Sequence, residues 1–177
     1  MTTDVIVLNG GSSSGTSSVA RALQDVLDRP WLTFGVDSFI DALPPALMSS
    51  PDGLVLAPDG GVAAGPVFRT LNNAWARGVA AVARAGTGVI LDEVFLGGRA
   101  EQDRWRTALD GLEVLWVGVR CAPEIARDRE LARADRVAGM AESQAHAVHR
   151  GVRYDLEVDT GRAGPADCAR EIAARVR

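Results

Sequence analysis

The chain contains no lysine: all 19 of its basic residues are arginine. A site that would use a lysine ammonium must therefore draw its charge from a planar, permanently protonated guanidinium. Cysteine is nearly as scarce. Cys121 and Cys168 share no metal-ligand spacing, so a disulfide framework is not expected and both read as small, buried residues. The two histidines, His146 and His149, stand three apart on one helical face without an evident third ligand, which argues against a metal there. No apolar run approaches the roughly 18 residues of a membrane span. The opening MTTDVIVLNG has no basic stretch ahead of a long apolar one, so no signal peptide is expected and a cytoplasmic location is. Nor is there a basic surplus. The formal net charge of −4 excludes a broad nucleic-acid or anionic-membrane surface and makes any local arginine cluster informative.

What is present suits one soluble domain over residues 1–177, with 47% hydrophobic and 24% charged residues. Apolar, β-branched runs occupy 5–8, 31–36, 88–91 and 114–120, with a shorter one at 156–158. They are nearly continuous rather than alternating, as strands of a parallel sheet buried on both faces would be. Helical stretches at 17–27, 38–48, 67–85, 100–109, 123–149 and 165–177 alternate with them. The alternation predicts an α/β fold with helices on both faces of the sheet. Trp75 and Trp105 fit two of these helices as core residues. Residues 49–65 carry two Asp-Gly pairs and two prolines, and read as a short hairpin or structured loop after the second strand.

Residues 5–20, VIVLNGGSSSGTSSVA, combine an apolar strand, a Gly/Ser turn and a helix start. The phosphate-loop pattern G-x-x-x-x-G-K-[ST] fits at Gly10, Gly15 and Ser17, with Thr16 in the lysine position. Gly10, Gly11 and Gly15 let the backbone turn tightly, and successive N–H groups then cradle phosphate oxygens at the helix start. Ser17 stands where the loop hydroxyl binds Mg2+, while Ser12, Ser13, Ser14 and Ser18 add further hydroxyls. Thr16 offers a hydroxyl and no charge. Losing a preorganised donor aimed at developing charge lowers rate by about 10²–10³. Binding can therefore persist on backbone amides and magnesium, while transfer suffers unless an arginine compensates.

Three further features bear on that loop. Asp37 closes the second strand and opens a helix, which leaves two readings open: a helix N-cap, or a carboxylate in the ligand crevice able to take a proton from a substrate hydroxyl. Asp92 and Glu93 end the third strand, where a carboxylate supports magnesium; Asp92 is the first choice and Glu93 the second. Arg129, Arg133 and Arg136 are spaced i, i+4, i+7 on one helical face. They read either as an exposed helix paired with Asp128, Glu130 and Asp135 or as a lid closing on phosphates.

The segments Asn9-Gly-Gly-Ser-Ser-Ser-Gly15, Phe34-Gly-Val-Asp-Ser38, Asp92-Glu-Val-Phe-Leu-Gly-Gly98, Leu115-Trp-Val-Gly-Val-Arg-Cys121 and Arg133-Ala-Asp-Arg-Val-Ala-Gly-Met140 occur in this order, followed by Tyr154-Asp155 and Val158-Asp-Thr160. Together they closely resemble the chloramphenicol phosphotransferase family over nearly the whole chain. The resemblance implies a P-loop kinase-like, three-layer α/β fold with a mostly parallel five-stranded sheet and a helical lid at about 123–149. It implies Mg2+-dependent transfer of the γ-phosphate of ATP or GTP to a hydroxyl of a small antibiotic, chloramphenicol-like or another. Asp37 would be the base, and Arg133 and Arg136, with Arg129, would contact the nucleotide phosphates. The family carries lysine where this chain has Thr16, so a non-catalytic nucleotide- or antibiotic-binding member is the alternative. A homo-oligomer is compatible with the sequence.

Overall fold

A computed structural model of the chain describes residues 2–56, 61–132 and 139–177. Five strands form one all-parallel sheet: β1 (Val5–Asn9), β2 (Trp31–Gly35), β5 (Gly88–Glu93), β6 (Val114–Arg120) and β7 (Leu156–Asp159), in the order β2-β5-β1-β6-β7. Between β2 and β5 a two-stranded antiparallel hairpin, β3 (Leu54–Leu56) with β4 (Val62–Ala64), stands where residues 49–65 were expected to fold back.

The pleat sends alternate side chains to opposite faces, and both faces are covered. Ile6 and Leu8 pack with Ile90, Val117 and Val119 under helices α1 (Thr16–Val26) and α7 (Pro165–Ala173). Val5 and Val7 pack with Val89, Leu91 and Trp116 under α3 (Pro66–Arg84) and α4 (Arg99–Ala108). Trp105 is fully buried there and Trp75 is half-buried, as helix-face core residues should be. A third, smaller cluster of Phe39, Leu43, Leu54 and Phe68 ties α2 (Val36–Asp41) to the hairpin and to α3. The sheet order places β1 centrally, with the chain crossing to either side of it. Loops at the carboxyl ends of β1, β5 and β2 therefore share one crevice.

Two helices differ from expectation. The helix expected at 38–48 is α2, ending at Asp41, and a separate 3-10 turn at Pro45–Leu47. Pro44 and Pro45 explain the break, since each lacks an N–H and disfavours helical backbone before it. The stretch 123–149 is two helices, α5 (Pro123–Leu131) and α6 (Met140–Ala147), the second entered from Gly139 at φ 90. Arg133 and Arg136, expected on one face with Arg129, lie outside the described residues.

Candidate active site

The loop between β1 and α1 holds the geometry its glycines allow. Ser13 at φ 59 and Gly15 at φ 90 both adopt left-handed backbone, which turns successive N–H groups toward a common side. Gly10 donates its N–H to the Glu93 carbonyl at 3.2 Å, anchoring the loop to the end of β5. A Cβ at Gly10 would come within 3.0 Å of the Val119 carbonyl, so the residue there must be glycine. Thr16 is 6% exposed, and its Oγ1 lies 3.3 Å from Ser14 Oγ. Where the pattern calls for an ammonium, the structure has a neutral hydroxyl pair.

Ser17, exposed in the first turn of α1, donates from Oγ to Asp92 Oδ2 at 2.6 Å. Ser18 is exposed beside it. The parallel register explains the meeting: Leu8 of β1 pairs with Asp92, which puts the carboxylate level with the start of the loop. Two oxygen donors converging at a strand end suit Mg2+, which retains waters and shares its remaining ligands with phosphates. Among the described residues there is no group of three or more His, Cys, Asp or Glu side chains that could hold a metal ion. Glu93 is a poorer candidate. Burial pushes its carboxyl up to about 8, with the Arg104 guanidinium opposing and Asp92 reinforcing, so it is largely neutral at pH 7.

Asp37 stands exposed in the first turn of α2. The N-cap is Gly35, so the capping alternative does not hold. A Cβ at Gly35 would press on the Asp92 main chain, with the Asp92 Cβ 3.1 Å away; glycine lets β2 pass into α2 directly against the end of β5. The loop, Asp92 and Asp37 thus occupy the carboxyl ends of three adjacent strands.

Arg129, one of the three arginines expected to face phosphates, bonds chiefly to Thr160 and at longer range to the loop. Arg129 donates from Nη2 to the Thr160 carbonyl at 2.8 Å, and from Nη1 to Thr160 Oγ1 at 3.2 Å and the Ser14 carbonyl at 3.5 Å. Thr160 Oγ1 in turn donates to the Ser14 carbonyl. Glu130, read from the sequence as an exposed ion-pair partner, is 2% exposed. Its carboxylate caps α6, accepting the N–H of Gly139 at 2.9 Å and of Ala141 at 2.8 Å. From α6, Gln144 Oε1 accepts the Ser12 N–H at 2.9 Å.

A second polar chain lies beneath the loop. Asn9, fully buried, accepts the Phe95 N–H through Oδ1 at 2.9 Å. That fixes the amide's orientation, so Nδ2 donates to the Val148 carbonyl at 2.9 Å and to Tyr154 Oη. The Tyr154 hydroxyl, accepting from Asn9, can donate its proton to His149 Nδ1, 2.6 Å away, when His149 is the neutral Nε2–H tautomer. Burial is the main cause of both shifts: His149 is pushed down to about 4, and Tyr154 up to about 12. Sequence reasoning left His149 as an ordinary helix residue; His146 is exposed. Of the cysteines, Cys168 is buried and Cys121 half-buried, and both are free thiols.

Residues 3–177 match the family model described as chloramphenicol phosphotransferase-like protein. A protein of Mycobacterium tuberculosis, provisionally named an O-phosphotransferase and found in two strains, is 34% identical over 95% of this chain and 80% of its own length. Among solved structures, an unliganded sugar kinase from a Janibacter species aligns at TM-score 0.71 and 18% identity, covering 97% of this chain and 93% of that one. The tunicamycin resistance protein of Deinococcus radiodurans aligns at TM-score 0.68 and 20% identity, covering 98% and 95%. A shikimate kinase from Acinetobacter baumannii aligns at TM-score 0.61 and 17% identity, covering 95% and 89%. These structural likenesses establish the P-loop kinase fold. No described helix is long and apolar enough to cross a membrane.

Proposed function

The chain belongs to the chloramphenicol phosphotransferase-like family, and from that premise we propose that it is an O-phosphotransferase moving the γ-phosphate of ATP or GTP to a hydroxyl of a small antibiotic. The observation that carries this reading is the 2.6 Å contact between Ser17 and Asp92, which brings a loop hydroxyl and a strand-end carboxylate to one point beside a phosphate-cradling turn. Ser17 and Asp92 would hold Mg2+, which neutralises charge on the nucleotide phosphates when bound. The loop from Gly10 to Ser18 would orient those phosphates with its N–H and hydroxyl groups. Asp37 would accept the proton of the acceptor hydroxyl as its oxygen bonds to the γ-phosphorus. The bond to the leaving diphosphate breaks, giving a nucleoside diphosphate and a phosphate ester. Arg133 and Arg136 are assigned, on the sequence alone, the positive charge that Thr16 lacks. The reading takes the chain as one domain acting in the cytoplasm.

One observation favours a second reading. Thr16 and Ser14 fill the lysine position with neutral hydroxyls, and Arg129 is already bonded to Thr160 and Ser14. A non-catalytic member that binds a nucleotide or an antibiotic would look the same. Incubation with Mg-ATP or Mg-GTP and a panel of hydroxylated antibiotics separates the two. The expected result is a product heavier by one phosphate in mass spectra; nucleotide binding with no such product on any acceptor would favour the binder.

A further inference from the structure

The α5–α6 pair bears on the phosphate loop through a chain of contacts that starts at a buried carboxylate. Glu130, at the end of α5, is almost wholly enclosed, and both its oxygens are taken by N–H groups at the start of α6. Such a carboxylate favours the positive end of the helix dipole and fixes the angle at which α6 leaves Gly139. One turn along, Gln144 is buried against the loop and accepts the Ser12 N–H. Gly11 completes the fit: a Cβ there would meet Gln144 Cβ at 3.2 Å, so α6 approaches the loop as closely as a glycine permits. Ser12 immediately precedes Ser13, whose left-handed backbone begins the turn of the cradle.

We propose that Gln144 is a positioning residue for the phosphate loop, set in place by Glu130, and that its hold on the Ser12 N–H gives the first half of the loop the shape that receives nucleotide phosphates. The proposal rests on the phosphotransferase reading for its consequence and on loop geometry for its substance. Gln144 holds a peptide group of the loop that is not aimed at the reacting atoms, so its loss weakens nucleotide binding more than it slows chemistry. The Ser12 N–H, once without an acceptor, no longer fixes the peptide plane ahead of Ser13.

The test uses the full chain carrying Gln144→Leu, which keeps most of the volume and removes the acceptor. Amide hydrogen exchange followed by NMR in the absence of nucleotide should show Ser12 exchanging at least about tenfold faster. Steady-state kinetics with Mg-ATP and Mg-GTP should show the nucleotide KM raised about tenfold with kcat changed less than about threefold. A second variant, Glu130→Gln, keeps one acceptor for α6 and should show the same split at smaller size; it decides the matter if Gln144→Leu does not fold. Unchanged Ser12 exchange, a nucleotide KM within twofold of the parent, or a fall in kcat as large as the rise in KM would overturn the proposal. If the parent protein transfers no phosphate and binds no nucleotide, the phosphotransferase reading fails, and the Ser12 exchange rate alone decides whether Gln144 shapes the loop.

Discussion

Beyond β6, α5 and α6 are held against the phosphate loop by polar contacts: Arg129 bonds to Thr160 and Ser14, Gln144 to Ser12 and Asn9 of β1 to Val148, while Glu130 ties the two helices together. Beyond β5, on the opposite side, α2, the hairpin and α3 meet through Phe39, Leu43, Leu54 and Phe68, with Phe39 and Phe68 edge-on at 5.2 Å. The polar wall is directional: each hydrogen bond has one satisfying geometry, and a buried partner left alone costs more than the bond contributes. The apolar wall is not directional and accommodates a change of shape by repacking. If Asp37 works at the apolar side, the two walls divide the labour, one holding the common donor and the other adapting to an acceptor.

The largest effect expected is at the boundary between them. Asp37→Asn should lower turnover by roughly 10²–10⁴ while leaving nucleotide affinity unchanged, because its side chain is exposed on α2. Robust transfer by this variant, measured as product phosphate, would remove the base assignment. Within the apolar wall, Phe39→Ala should destabilise by about 3–5 kcal/mol in denaturant unfolding, since Phe39 is 4% exposed and packs on both Phe68 and Trp75. Phe39→Leu should retain fold and nucleotide affinity but alter the ranking of acceptors. An unaltered ranking would mean that this wall does not adapt to the acceptor.

The polar counterpart is Thr160→Val. It removes the hydroxyl shared by Arg129 and the Ser14 carbonyl, and should cost about 1–3 kcal/mol. In contrast to the apolar variants, nucleotide affinity should fall and acceptor ranking should not move. Binding titrations on both variants would expose a wall that behaves like its opposite.

Acid should loosen the polar wall selectively. His149 is neutral in the folded chain because burial holds it at about 4, below the ordinary 6.5, while the unfolded chain takes up a proton as pH falls through that ordinary value. Stability is therefore flat from His149 above about pH 7 and is lost as pH drops from 6.5 toward 4, by roughly 2–3 kcal/mol. Carboxylates titrate in part of the same range, so the quantity to measure is the difference from His149→Gln, whose amide oxygen can still accept from Tyr154. Superimposable pH–stability curves for parent and variant would mean His149 does not contribute.

The two walls also differ in how far the sequence announces them. The strands were legible because residues 5–8 and 114–119 are nearly continuous apolar runs, which a doubly covered sheet hides. Ser17, Asp92 and Asp37 were legible because a loop pattern and strand-end carboxylates point to one sheet edge. Gln144 and Ser12 stand 132 residues apart, and their bond joins a side chain to a main-chain N–H that any residue would supply. No local pattern encodes such a contact. Glu130 was concealed differently: acidic neighbours and basic spacing on ARDRELAR suit an exposed helix, and only the turn into α6 at Gly139 buries the carboxylate. The end of α2 is visible in Pro44-Pro45, which cannot continue a helix that reaches them.

The smallest effect expected concerns Thr16, because the polar wall is already tied at Ser12 and Ser14 by Gln144, Arg129 and Thr160. Thr16→Lys removes a hydroxyl whose distance of 3.3 Å to Ser14 Oγ marks a weak bond, so the loss of that bond by itself should cost no more than about 1 kcal/mol. If Arg133 and Arg136 supply the missing charge, the new ammonium should raise turnover by less than about tenfold, well short of the roughly 10²–10³ a single missing charge-stabilising donor costs. A gain of that larger size would mean that the guanidinium groups do not reach the transferring phosphate. The parent would then transfer phosphate without a side-chain cation at the transferring group, and Arg133 and Arg136 would lose the role given to them. Measured on the parent and on Thr16→Lys with the same nucleotide and acceptor, the ratio of turnovers therefore weighs the charge that this loop has done without.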